Sequence, residues 1–262
     1  MRIYLLVAVL LILMTPKTHA YDWANDWAND LANDLSNDWG VELSTGYVSE
    51  YADRGTTVAG LQIQSNATLT NGAFSTGVTY SRTLGDDRLA YGDEIDINID
   101  YGFELGAGTM LNIGADLIHA PGAGGLFDIG AADASTIEIY SGLSFEQKFS
   151  PAITVLYDMN LGDFTLEASA SRDVKVSEHS ELVFDLIGGF ASIAGADNNL
   201  YLTTAATYTH AFADNLSAFA GLYGGLSSEH SYTDASFPAG LAPVLNTSTT
   251  SAWIRIGLSA GF

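Results

Sequence analysis

The sequence predicts an all-β chain that forms an antiparallel transmembrane β-barrel of about twelve strands. Three observations carry this prediction: apolar residues recur with a period of two from Val41 onward, the last strand ends on an aromatic residue, and short turns alternate with longer loops. A period of two places successive side chains on opposite faces of a strand. A barrel that meets lipid outside and water inside requires this alternation in each strand.

The first twenty residues have the composition of a cleaved secretory signal peptide. Met1-Arg2 supplies a positive charge, an apolar run extends from Ile3 to Met14, and Thr18-His19-Ala20 suits cleavage after Ala20. The apolar run is short for a membrane-spanning helix. An uncleaved anchor is the alternative. Because the chain has no Cys, disulfides contribute nothing to its stability.

Residues 21–39 contain a four-residue repeat in which Trp or Leu is followed by Ala or Ser, Asn and Asp. On a helix this period would align the Trp and Leu side chains in a stripe, but Asn and Asp are poor helix formers. We therefore interpret the repeat as an acidic periplasmic spacer. An amphipathic segment that contacts the membrane or a partner is the alternative. Residues 40–262 are assigned to the barrel.

The strand at residues 94–105 shows the alternation most clearly. Ile95, Ile97, Ile99, Tyr101, Phe103 and Leu105 fall on one face, and the other face carries acidic residues, an asparagine and a glycine. Carboxylates could not enter a dry core without a large desolvation cost. The polar face therefore lines either a water-filled barrel or the surface of a one-sided sheet. Similar runs along the chain give about twelve strands.

The connections between these strands alternate in length. Short turns are predicted at Asn71-Gly72, at residues 106–108, 147–151 and 173–180, and at Ala213-Asp214; most of the intervening loops are longer. Barrels of the bacterial outer membrane have short periplasmic turns and longer outer loops. With an even number of strands, both termini are then expected on the periplasmic side.

The final strand alternates down to a terminal aromatic residue. Ile254, Ile256, Leu258 and Phe262 share one face. The segment resembles the closing strand of bacterial outer-membrane barrels, and that resemblance implies that the barrel-assembly machinery recognises these residues after periplasmic chaperones have delivered the chain. The last strand of a soluble sandwich is the alternative.

A family resemblance is carried by Gly46-Tyr47-Val48-Ser49-Glu50-Tyr51-Ala52-Asp53-Arg54-Gly55. This segment resembles the opening of the TorF-type porins of proteobacteria. Glu94-Ile95-Asp96 with Tyr101-Gly102, and Tyr157-Asp158 with Leu166-Glu167-Ala168, resemble later landmarks of that family. The resemblance implies an outer-membrane barrel, and it adds no catalytic residues to the candidates.

The polar face of the predicted strands is strongly acidic. The chain has 31 Asp and Glu against 9 Lys and Arg, a net charge of −22, which excludes nucleic acid as a partner. An acidic channel concentrates cations and excludes anions. We therefore expect passive, cation-preferring diffusion of small solutes. The residues expected to line the lumen and set selectivity are Glu94, Asp96, Asp100, Glu104, Asp116, Glu138, Asp158, Glu167, Asp185 and, as the opposing base, Arg255.

Two other classes of function stay open at this stage. A non-conducting structural or adhesive barrel would use long polar loops such as residues 227–250. A barrel hydrolase would need His beside Ser or an acid, but the candidates His119, His179, His210 and His230 are scattered along the chain. No cofactor or metal ion is expected. The Gly-rich segment 121–127 is a candidate constriction loop, or a plain surface loop.

Overall fold

A computed structural model describes residues 39–84, 93–122, 125, 135–192, 197–229, 232–233 and 247–262. The predicted signal peptide, the repeat up to residue 38 and most of the Gly-rich segment 121–127 lie outside these residues. The strands, numbered in chain order, are β1 (Trp39–Val48), β2 (Tyr51–Asp53), β3 (Thr56–Ala59), β4 (Gln62–Asn71), β5 (Phe74–Thr83), β6 (Glu94–Gly106), β7 (Thr109–His119), β8 (Ser135–Phe145), β9 (Ala152–Asp158), β10 (Phe164–Ser177), β11 (Ser180–Ser192), β12 (Asn199–Ala213), β13 (Leu216–Ser227), β14 (Tyr232–Thr233), β15 (Thr247–Ser248) and β16 (Thr250–Gly261).

Twelve of these strands form one closed antiparallel barrel, in the order β1-β16-β13-β12-β11-β10-β9-β8-β7-β6-β5-β4. The predicted fold class and strand number are therefore confirmed. The barrel closes where β1 pairs with β16, and the backbone of Val41 exchanges hydrogen bonds of 3.0 and 2.8 Å with that of Phe262. Closure matters because a barrel leaves no strand edge unpaired within lipid. Within the described part of the chain, no helix has the length and apolarity needed to cross a membrane.

The outer face of the barrel is apolar. Large exposed apolar side chains point outward from most strands, among them Leu43, Ile63, Ile99, Phe103, Ile113, Ile139, Val155, Leu166, Phe184, Leu222 and Ile256. Their neighbours along each strand point into the lumen and are mostly polar or small. An outward apolar band with a polar interior is the arrangement of a transmembrane barrel.

The two ends of the barrel differ. Short turns connect strands at one end, here called the turn end, where Trp39 and Phe262 also lie. The opposite end, here called the loop end, carries mostly longer connections: those from β1 to β4, β5 to β6, β7 to β8 and β13 to β16. The β9–β10 connection, residues 159–163, is the exception, since it is shorter than the turn-end connection at residues 146–151. One predicted turn is wrong in extent. Residues 173–177 extend β10 and pair with β11, which leaves only Glu178 and His179 in the turn. Val174 and Val176 continue the outward apolar series, so the strand continues with them.

Two short hairpins, β2–β3 and β14–β15, lie outside the barrel wall. Hairpin β2–β3 arises from the connection between β1 and β4, for which the sequence predicts only one of the longer loops between strands. Its two turn residues, Arg54 and Gly55, have φ of +46° and +76°. Positive φ at both central residues is the type I′ conformation, whose twist matches that of paired strands. This hairpin folds back into the lumen.

Candidate functional site

The lumen carries a row of polar side chains across four neighbouring strands. Asn98 on β6 lies opposite Asp116 on β7, Asp116 opposite Glu138 on β8, and Glu138 opposite Asp158 on β9. Like charges in directly opposed positions destabilise a sheet. Three adjacent carboxylates therefore need compensation, and the structure provides it differently for Asp158 and for Glu138.

Asp158 is compensated by its own turn. One carboxylate oxygen accepts hydrogen bonds from the backbone N–H groups of Asn160 and Leu161, each at 2.8 Å, and from the Thr136 hydroxyl at 2.5 Å. This carboxylate, which sequence reasoning placed in the selectivity set, is buried and caps the connection between β9 and β10. The Asp158 carboxylate therefore stabilises the turn between β9 and β10.

Glu138 is compensated by Arg54, at the tip of hairpin β2–β3. Both guanidinium Nη atoms donate to the Glu138 carboxylate, each at 2.6 Å, in a bidentate pair. Glu138 is almost fully buried, with 3 % of the residue's surface exposed. The Arg54 Nε atom also lies 3.7 Å from a carboxylate oxygen of Asp53. Bidentate arginine–carboxylate pairs are strong and geometrically specific, so this contact fixes the hairpin tip.

The charge state of the hairpin follows from its surroundings. Burial alone lowers the pKa of the Arg54 guanidinium, but Asp53 and the hydrogen bonds to Glu138 outweigh it and raise that pKa above its usual range. Burial raises the pKa of the Tyr51 phenol well above its ordinary value, and Asp53, Glu94 and Asp96 raise it further. Arg54 is therefore cationic and Tyr51 neutral near pH 7.

The hairpin is also held on the opposite wall and at its base. The Arg54 carbonyl accepts a hydrogen bond of 3.1 Å from the Asn199 side chain on β12. At the base, one Glu50 carboxylate oxygen accepts hydrogen bonds from Thr57 at 2.9 Å and from Ser251, on β16, at 2.7 Å. These contacts tie the hairpin to three parts of the wall.

The remaining predicted carboxylates all point into the lumen, at different heights. Glu94, Asp96 and Asp116 line a cavity of about 400 Å³ beside the hairpin, together with Tyr51, Asp53 and Arg54. Asp100 and Tyr140 line a smaller cavity. Glu167 accepts a hydrogen bond of 2.5 Å from Tyr201, Asp185 lies opposite Ser171 on β10 and Ala205 on β12, and Glu104 is exposed at the turn end.

Arg255 faces the lumen from β16 but does not lie among the carboxylates. Its guanidinium stacks over the Phe219 ring at 5.3 Å, and no carboxylate among the described residues lies within 4.0 Å of it. The base that sequence reasoning missed is Arg54. Alternation assigns faces only within strands, and Arg54 lies in a turn. The sequence contains one signal for this hairpin. The pair Arg54-Gly55 lies between Tyr51 and Thr56-Thr57, and such a pair is compatible with a tight hairpin turn.

The residues predicted as an assembly signal occupy the outer face of the closing strand. Ile254, Ile256 and Leu258 point outward and are about half exposed, and Phe262 is exposed at the turn end. A cavity of about 520 Å³ opens inside the barrel at this end and is lined by Glu42, Thr68, Thr209 and Ser259, among others.

Two histidines pair with serines on neighbouring strands. His119 lies 2.8 Å from the Ser135 hydroxyl at the loop end, and His210 lies 2.8 Å from the Ser180 hydroxyl at the turn end, where Tyr208 also donates to Ser180. The described contacts place no carboxylate on the His210 ring to complete a catalytic triad. No group of three or more metal-ligating side chains occurs among the described residues. His230 lies outside them.

The fold is similar to that of solved outer-membrane porins. The NanC porin matches with a TM-score of 0.50 at 8 % identity, over 84 % of this chain and 98 % of that porin. The KdgM porin matches with a TM-score of 0.51 at 8 % identity, over 85 % of this chain and 99 % of that porin. The sequence matches no protein-family model and no curated protein, so the TorF-type resemblance stays a prediction.

Proposed function

We propose that this protein is an outer-membrane channel for passive diffusion of small solutes, with a preference for cations. The observation that carries the proposal is the contrast between the two faces of one closed barrel. Outward side chains are apolar, while Glu94, Asp96, Asp100, Asp116 and Glu138 all face the lumen. Carboxylates within low-dielectric walls attract cations and repel anions.

The class of solute follows from this charge. One solved KdgM porin is described as a complex with disordered oligogalacturonate. In the lumen described here, lined by carboxylates, an acidic oligomer would be repelled. Small cations and small neutral solutes are therefore the proposed cargo. Membership of the TorF-type family is consistent with this proposal.

The proposed location is the outer membrane of a Gram-negative bacterium. Export through a cleaved signal peptide, delivery by periplasmic chaperones and recognition of Ile254, Ile256, Leu258 and Phe262 by the barrel-assembly machinery belong to the same proposal. The outward apolar band supports contact with lipid. We propose no enzymatic activity, because the serine–histidine pairs lie at opposite ends of the barrel and outside its lumen.

The first prediction concerns conductance. The refolded protein in a planar bilayer should give discrete conductance steps, and its reversal potential in a KCl gradient should indicate cation preference. Replacing Asp96 and Asp100 together by Asn should reduce that preference, because two lumen charges are lost. Glu178→Gln, in the exposed turn between β10 and β11, is the control. Anion preference in the unaltered protein would contradict the proposal.

A non-conducting structural or adhesive barrel is the second candidate, and hairpin β2–β3 favours it. The hairpin crosses the lumen and is held on β8, β12 and β16. A folded barrel that gives no conductance under any tested voltage would shift the assignment to this class. Altered gel migration of unheated against boiled samples would establish that such a barrel is folded.

A further inference from the structure

Hairpin β2–β3 reaches past the middle of the barrel. Its base lies between β1 and β4, whereas its tip contacts Glu138 on β8 and Asn199 on β12. In the strand order of the barrel, β8 is the fourth strand beyond β4, and β12 is the third beyond β1. The tip therefore contacts the barrel wall at two separate places, β8 and β12, both in the half of the barrel farther from the hairpin base.

The hairpin leaves unequal space on its two sides. Toward β12, β16 and β1 the inward side chains of Val48, Tyr201 and Trp253 are buried, and Trp253 stacks on Tyr223 with ring centroids 5.7 Å apart. Toward β4–β8 lies the cavity of about 400 Å³. Among the described residues, the cavity beside the hairpin is therefore lined by wall strands on the β4–β8 side.

This space has acidic walls and one basic group. The described residues that line it include the carboxylates of Asp53, Glu94, Asp96 and Asp116, and Arg54 is the one basic side chain among them. Arg54 is also the residue that anchors the hairpin to Glu138. Arg54 therefore both contacts the wall beyond the hairpin tip and contributes a positive charge to the lining of the cavity.

We propose that hairpin β2–β3 forms the constriction of the channel and that Arg54 is its selectivity-determining residue. The bidentate pair with Glu138 holds the hairpin across the lumen and places a positive charge in an acidic passage. This inference rests on the proposed function and names the residue that tunes it. Small cations and neutral solutes pass on the β4–β8 side, and anions are excluded by the carboxylates that face Arg54.

The two partners of the pair should have opposite effects on selectivity. Arg54→Gln removes the positive charge and frees the Glu138 carboxylate, so cation preference rises. Glu138→Gln removes a negative charge and frees the Arg54 guanidinium, so cation preference falls. Both substitutions release the hairpin tip from β8, so both raise single-channel conductance, by about twofold for a pore limited at one constriction. A residue that merely supports the fold would not shift selectivity in opposite directions.

The experiment measures single-channel conductance and reversal potential for the unaltered protein, Arg54→Gln and Glu138→Gln. Arg172→Gln is the matched control, since it changes net charge by the same amount from the outer surface near the turn end, where Arg172 contacts Phe149 and the Lys148 carbonyl. The control should behave as the unaltered protein does. Gel migration of unheated samples establishes that each variant is folded.

A reversible tether provides a second test within a single variant. The chain contains no Cys, so Arg54→Cys with Glu138→Cys introduces the only two thiols. A bifunctional methanethiosulfonate with a spacer about as long as the two replaced side chains should restore the bridge. Conductance should fall when the bridge forms and recover when a reductant cleaves it. The unaltered protein should not respond to either reagent.

The outcomes separate this inference from the proposed function. Conduction by the unaltered protein with unchanged conductance and selectivity in both Gln variants would overturn the inference and leave the channel function standing. A silent unaltered protein with conducting variants would support the hairpin as the element that limits passage, while overturning an open resting channel. Folded barrels that are silent with and without the Arg54–Glu138 pair would overturn both.

Discussion

Arg54 combines an unfavourable backbone conformation with the strongest polar contact of the hairpin. A residue with a Cβ atom at positive φ costs about 1–2 kcal/mol relative to the right-handed region. Arg54 has φ of +46° and forms the bidentate pair with buried Glu138. Strained residues persist where their surroundings fix them, often at functional sites. The tertiary pair with Glu138 therefore offsets a conformation that the local sequence would not favour.

Gly55 provides a test of hairpin position that leaves charge unchanged. Its φ is +76°, and a Cβ atom here would lie 2.5 Å from the Tyr201 Cβ atom and 2.8 Å from the Asn199 Nδ2 atom. Gly55→Ala should therefore displace the hairpin tip from β12 and raise single-channel conductance, at a cost to stability of about 1–2 kcal/mol from the backbone alone. Single-channel recording in symmetric KCl is the measurement.

Gly72 is the matched control for that substitution. It also has positive φ, +56°, but a Cβ atom there would meet nothing within 4 Å. Gly72→Ala carries a similar backbone cost without a steric clash, so conductance should not change. Equal conductance in both variants would mean that contact between the hairpin tip and β12 does not restrict passage.

Among the elements, the wall strands depend on the local pattern of the sequence, whereas hairpin β2–β3 depends on contacts between distant residues. Each wall strand repeats the same apolar and polar alternation, and this pattern was sufficient to predict all twelve. The hairpin has short strands, and its direction depends on Glu138, Asn199 and Ser251, which lie far away in sequence. Alternation cannot report such contacts, so the predicted site lacked its principal base.

The closing strand allows the two faces to be compared within a few residues. Ile256 points to lipid, whereas Ser259 faces the cavity at the turn end and hydrogen-bonds to Ser217 at 2.7 Å. Ile256→Arg should destabilise the folded barrel by up to about 2–4 kcal/mol, the cost of a cation at the bilayer midplane. Ser259→Arg, in water, should cost much less. Urea titration of the proteins folded into lipid vesicles measures both, and similar losses would contradict the assigned faces.

For the whole molecule, the difference between its two ends predicts its orientation in the membrane. Longer connections gather at the loop end, and both termini of the described barrel lie at the turn end. If the loop end faces the cell exterior, as in outer-membrane barrels, the termini are periplasmic. Lumen side chains near the loop end, around the hairpin, are buried, so the proposed constriction lies closer to the loop end than to the turn end.

Single cysteines in this cysteine-free chain can test that orientation. Leu161→Cys lies in an exposed connection at the loop end, and His179→Cys in an exposed turn at the turn end. A membrane-impermeant maleimide added to intact cells should label the first at once. It should label the second only after the outer membrane is permeabilised. The reverse pattern would place the termini outside the cell.

The twelve wall strands, apart from the extent of β10, could be read from the sequence, together with their inward and outward faces, their antiparallel order and the acidic character of the lumen. These properties depend on local alternation, on connection length and on composition, all of which are readable along the chain. The inward fold of residues 51–59, the pairing of Arg54 with Glu138 and the stacking of Arg255 on Phe219 became apparent in the folded barrel alone. The physical reason is that these contacts join residues brought together only when the barrel closes.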